Sequence, residues 1–199
     1  RAFRLPVFQT GVVVTVFLMS TPFRNALGNG QQTLLVLLAL IAPFALDFRG
    51  KSIVQGFGYL KYSFAPPFFF HTLAAGGVAR AALTLIPGCA GFLVFYALCG
   101  GGDLVRVALG PLLVNQTAMG LGSGDLLTLI TMASGGSSAL PVLALKYGLV
   151  LAVCAGVAFA VARAHASPTH ALAILSLCAL VSFPHHNYDW VFLLPVLCL

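Results

Sequence analysis

The apolar run 139–161, broken by a single charge at Lys146, restricts this chain more than any other feature. It is long enough to cross a hydrocarbon core, which takes about 20 apolar residues in a helix. Further apolar segments occupy 5–19, 33–46, 52–60, 66–75, 81–98, 171–181 and the stretch from Trp190 onward. Composition says whether these are core helices of a water-soluble protein. Hydrophobic residues make up 60% of the 199 and charged residues 7%, against roughly 45–50% and about 25% in soluble chains. Water is not the main solvent of such a chain. Hydrocarbon satisfies no backbone N–H or C=O, so the runs must close their hydrogen bonds internally as helices, and they lack the alternation of barrel strands. The expected fold is all-α, a polytopic transmembrane bundle forming a single integral-membrane domain over 1–199. The chain begins at Arg1 and stops inside an apolar run, so the reading expects a fragment lacking N-terminal helices and the C-terminal end.

Segments 52–60 and 66–75 are each too short to span alone. Between them lies Lys61-Tyr62-Ser63-Phe64-Ala65-Pro66-Pro67, whose prolines break the helix and suggest a kinked or re-entrant pair with Lys61 at its tip. That hairpin lets the topology close. Arg1, Arg4, Arg49, Lys51, Arg80 and Arg163 then fall on one side, and Arg24, Lys61 and Arg106 on the other, with Lys146 inside a helix. The excess marks the first side as cytoplasmic. The net charge of +6, scattered singly between apolar runs, is an orientation signal and excludes a nucleic-acid surface. Short interfacial helices are expected at 103–115 and from Asp125 to Met132, the latter behind the capping residues Ser123-Gly124-Asp125. The five cysteines, at 89, 99, 154, 178 and 198, form no CxxC and read as buried thiols.

With this topology, the unusual polar residues gather on the extracytoplasmic face. They are Arg24, Asn25, Asn29, Gln31 and Gln32 in the first outer loop, Lys61 and Tyr62 at the hairpin tip, Asp125, and His185-His186-Asn187-Tyr188-Asp189. A cation near membrane depth faces a polar cavity, a partner or a ligand. For Lys61 the options are a lipid-linked phosphate, snorkelling to the interface, or a carboxylate such as Asp189. Arg24 offers a planar fork suited to phosphate, or is simply solvated. His185, His186, Tyr188 and Asp189 carry groups that bind sugar hydroxyls, hold phosphate or move protons; the alternative is that Asp189 starts a helix. No metal site is expected, since adjacent histidines rarely share one ion. Gly100-Gly101-Gly102 and the glycines of 120–124 lack the strand and Lys-Ser/Thr setting of nucleotide loops.

The segment Phe23-Arg24-Asn25-Ala26-Leu27-Gly28-Asn29-Gly30-Gln31-Gln32, the later Lys61-Tyr62-Ser63-Phe64-Ala65-Pro66-Pro67 and the late His/Asn-Tyr188-Asp189 resemble glycosyltransferase family 87 in content and order. The resemblance implies a GT-C architecture and a hexosyltransferase moving a sugar, typically mannose, from a polyprenyl-phosphate donor to a lipid or glycan acceptor. It implies an extracytoplasmic site in a bacterial inner (plasma) membrane, with the catalytic acidic residue upstream of this sequence. Arg24, Asn29, Gln31, Lys61, Tyr62, His185, His186, Tyr188 and Asp189 are the candidate donor- and substrate-binding residues. No cofactor is implied, the lipid-linked sugar being a substrate, and the expected partners are the bilayer, that donor and the acceptor. The rival expectation is a transporter or flippase of a lipid-linked anion, because broken helices and a buried Lys also occur there.

Overall fold

A computed structural model describes residues 6–20, 32–98, 100–105, 107, 125–136, 139–185 and 187–197. Among these residues all regular structure is helical. In chain order they form α1 (Val7–Met19), α2 (Thr33–Ala45), α3 (Lys51–Gly58), α4 (Ala65–Leu98), α5 (Leu126–Ala133), α6 (Leu140–Arg163) and α7 (Pro168–Ser182). A 3-10 turn (Asn187–Leu193) and the short α8 (Leu194–Leu197) follow.

Local chemistry fixes several boundaries. Asp125 caps α5, its carboxylate accepting from the Thr128 N–H at 2.8 Å, as the sequence anticipates. Ser167 caps α7, accepting from the His170 N–H at 3.3 Å, with Pro168 in the first turn where its missing N–H costs nothing. This cap starts α7 ahead of the expected segment 171–181. Of the interfacial segment 103–115, only 103–105 and 107 are described; residues 104, 105 and 107 are helical, and Asp103 Oδ1 accepts from the Val105 N–H at 2.9 Å.

The segments 66–75 and 81–98 are not separated by a loop. They are two arms of α4 on either side of Gly77, whose φ of 79° and ψ of 174° break the helix. Neighbouring residues of α3 meet opposite arms, which shows the reversal. The Gln55 amide donates to Thr72 Oγ1 at 2.9 Å, whereas a Cβ added to Gly56 would lie 2.3 Å from the Thr84 carbonyl oxygen. The arms 65–76 and 78–98 therefore run back along one another, with α3 beside both. Only a glycine holds a φ near +80° without strain, so one residue takes the place of a whole turn. Gly58 brings α3 against α2, since a Cβ there would fall 2.6 Å from Leu40.

Leu40, Phe64, Phe68, Leu172, Leu175, Ala179 and Phe192 form the main core. Leu127, Val150, Cys154 and Phe183 form a second. Val7, Phe8, Leu35, Val78, Leu93 and Leu98 are among many large apolar side chains left exposed. Among the described residues two helices, Ala65–Leu98 and Leu140–Arg163, are long and apolar enough to cross a membrane by length and composition, and only 17% and 22% of their most apolar stretches are buried. Arm 78–98 alone extends roughly 31 Å at 1.5 Å per residue, close to the thickness of a hydrocarbon core.

The charged loops sort to two ends. Asp47, Lys51, Arg80 and Pro168 line one cavity, so the α2–α3 loop, the Gly77 reversal and the turn after Arg163 share an end. Lys61 and Asp189 meet at the other.

Candidate functional site

Four residues from four stretches of chain converge away from those loops. Thr33 opens α2, Lys61 stands in the turn between α3 and α4, His185 follows α7, and Asp189 lies in the 3-10 turn. The α7 helix gives way at Phe183 to extended backbone, with φ −126° and ψ 154°. Pro184 cannot supply a helical N–H there, and the chain turns back toward α2. A helix starting at Asp189 is an alternative reading of the sequence; instead Asp189 sits inside the 3-10 turn with its carboxylate engaged elsewhere.

The geometry centres on that carboxylate. Asp189 Oδ1 accepts from Thr33 Oγ1 at 3.2 Å and forms an ion pair with the Lys61 ammonium. Lys61 also donates to Thr33 Oγ1 at 3.2 Å, so the single Thr33 hydroxyl accepts from the cation and donates to the anion. On the other side, Asp189 Oδ2 faces His185 Nδ1 at 3.3 Å. His185 Nε2 lies 3.0 Å from the Ala179 carbonyl oxygen. A carbonyl only accepts, so Nε2 is the donor in that contact, and the His185 ring bridges the Ala179 carbonyl and the Asp189 carboxylate.

Aromatic packing holds the group in place. Phe64 lies 4.7 Å from the His185 ring and stacks on Phe192 at 3.7 Å. The Lys61 ammonium sits 5.8 Å from the Phe64 ring centre, within reach of a cation–π attraction. The side chains of Asp189 and His185 are 2% and 3% exposed, whereas that of Lys61 is 19% exposed. Lys61 is therefore the member with an open side. Burial pushes the Asp189 carboxyl up, but the His185 hydrogen bond and the charge and hydrogen bond of Lys61 outweigh it and hold it below the ordinary 3.8.

Of the residues singled out in the sequence, Lys61, His185 and Asp189 come together. Tyr62 sits beside them in the chain, 38% exposed. Arg24, Asn29, Gln31 and His186 lie outside the described residues, as does the side chain of Tyr188. Asp125 has a structural role at the start of α5, binding both the N–H and the hydroxyl of Thr128.

Sequence reasoning missed Thr33 and underrated Lys146. Thr33 looks like an ordinary first residue of an apolar helix, and nothing local marks its partner. Lys146 had a visible signal, as the lone charge in the longest apolar run. It is 1% exposed within α6, one turn ahead of the core residue Val150. A cation buried in such a helix is costly unless compensated, and Lys146 is engaged by its surroundings.

No protein-family model, no curated protein and no solved structure matches this chain.

Proposed function

We propose that this chain belongs to an integral-membrane hexosyltransferase that takes a sugar, most simply mannose, from a polyprenyl-phosphate donor and passes it to a lipid or glycan acceptor on the extracytoplasmic face. One observation carries the reading: Lys61, Asp189, His185 and Thr33 meet at the end opposite the Lys51 and Arg80 loops. By the positive-inside bias, that end is extracytoplasmic. Lys61 is the cation for the donor phosphate, and Asp189 positions it. Thr33 and Phe64 fix the direction of its ammonium. Positive charge held there stabilises the phosphate as it departs from the sugar, where negative charge grows in the transition state. His185 holds the Asp189 carboxylate from the side away from that charge. Arg24, Asn29, Gln31, Tyr62, His186 and Tyr188 complete the proposed donor and sugar contacts.

The test is to incubate membranes containing the full-length protein with labelled polyprenyl-phosphate sugars. Transfer of label from at least one of them to an acceptor is expected. A second reading, a transporter of a lipid-linked anion, draws on the helix reversal at Gly77 and the half-buried Lys61–Asp189 pair. Movement of labelled donor across vesicles containing the protein, without transfer, would favour it.

A further inference from the structure

The opposite end of the fold carries a second polar site, which the transferase reading does not use. A cavity of about 460 Å³ opens between the α2–α3 loop, α3 and the Gly77 reversal, lined by Asp47, Lys51, Ser52, His71, Thr72 and Arg80. We infer that this cavity binds a phosphate group, as a lipid headgroup or as a free phosphate.

Three independent features favour an anion. First, the lining charges are two cations and one carboxylate, and Asp47 is already matched by Lys51 at 2.9 Å. The Arg80 guanidinium remains as excess charge, in a planar fork that suits phosphate oxygens. Its stem folds over Gly76, whose absent Cβ would lie 2.9 Å from Arg80 Cδ. Second, the amino end of α3 opens here behind Gly50, at φ 85° and with no side-chain cap. The Ile53 and Val54 N–H groups turn back to the Gly50 carbonyl, and the positive end of the helix dipole lies at this end of α3. Third, His71 is packed against Phe44 with ring centres 5.6 Å apart, yet its nitrogens make no hydrogen bond among the described residues. By contrast, the neighbouring Gln55 and Thr72 satisfy each other. An anion in the cavity would meet Arg80, the α3 amino end and His71 together.

The full-length protein, purified in neutral detergent, is offered an equal mixture of phosphatidylglycerol and phosphatidylcholine, and the retained lipid is counted by native mass spectrometry. A parallel titration uses inorganic phosphate, read by thermal stabilisation. The wild type is expected to retain the anionic lipid selectively, or to be stabilised by phosphate if the source is a free anion. Arg80→Gln should lower the response on the order of tenfold, as for loss of a charge-assisted contact. Arg80→Lys should restore part of it. Arg163→Gln, a basic residue at the same end but outside the cavity lining, should leave it unchanged. No selectivity for either ligand, or an equal loss in Arg163→Gln, overturns the proposal. Arg80 is exposed, so its variants are expected to fold; a normal melting profile without ligand checks this.

Discussion

Lys61 and Asp189, separated by 128 residues, form an ion pair whose acid is nearly sealed from solvent and whose base keeps one open side. Removing one partner of such a pair strands the other, at about 3–5 kcal/mol when both are buried. Because Lys61 retains 19% exposure, Lys61→Met and Asp189→Asn should each fall near the lower end of that range in unfolding from detergent. The double variant should lose less than the sum of the two, with a coupling of about 1–3 kcal/mol. Strict additivity would mean the two groups do not interact.

The pair also sets an acid limit. The Asp189 carboxyl titrates below the ordinary 3.8 in the folded protein, so the unfolded chain takes up its proton first as pH falls. Its contribution is complete above the ordinary carboxylate range and fades as pH drops through the depressed folded value. Unfolding midpoints measured across that acid range should show a shallower decline in Asp189→Asn than in the wild type. Asp47 is also held below the ordinary range, by its hydrogen bond to Lys51 and the charge of Lys51, but it is fully solvated, so Asp47→Asn should leave the acid limb in place.

Gly77 and Gly56 carry the helix reversal. A side chain at Gly77 would sit at a φ of 79°, costing about 1–3 kcal/mol. At Gly56 it would collide with the Thr84 carbonyl oxygen, a backbone atom that cannot swing aside. Gly77→Ala and Gly56→Ala should both lower the melting temperature, whereas Gly88→Ala, with open space around its Cβ, should not. Equal stability of all three would contradict the folded-back arms.

Much of this architecture is legible in the sequence because apolar length and proline are local signals. The 139–161 run becomes α6, and Pro66-Pro67 opens the first arm of α4 beyond the Lys61 turn. The single-residue reversal is harder to see, since Gly76-Gly77 inside an apolar stretch looks much like Gly135-Gly136 in a loop. The site divides in the same way. Lys61 stands out by its cost in an apolar setting, but Thr33 acquires its role only when α2 is packed beside the 3-10 turn. The sequence offers Asp189 as a pairing option for Lys61 without choosing it, because the choice depends on where the chain returns after Pro184.

Sidedness yields a separate prediction. On a cysteine-free background, Tyr62→Cys should react with a membrane-impermeant maleimide added outside intact cells, since Tyr62 is 38% exposed. Asp47→Cys, with the Asp47 side chain 95% exposed at the other end, should react only after the membrane is opened. The reverse pattern would invert the assignment.

The central claim is that the ammonium of Lys61 serves a lipid-linked phosphate. It is tested most directly by measuring sugar transfer from labelled polyprenyl-phosphate mannose by full-length wild type and Lys61→Met at matched amounts of folded protein. Loss of a phosphate-stabilising cation predicts a fall in rate of about a hundredfold or more. Transfer by Lys61→Met at the wild-type rate would contradict it.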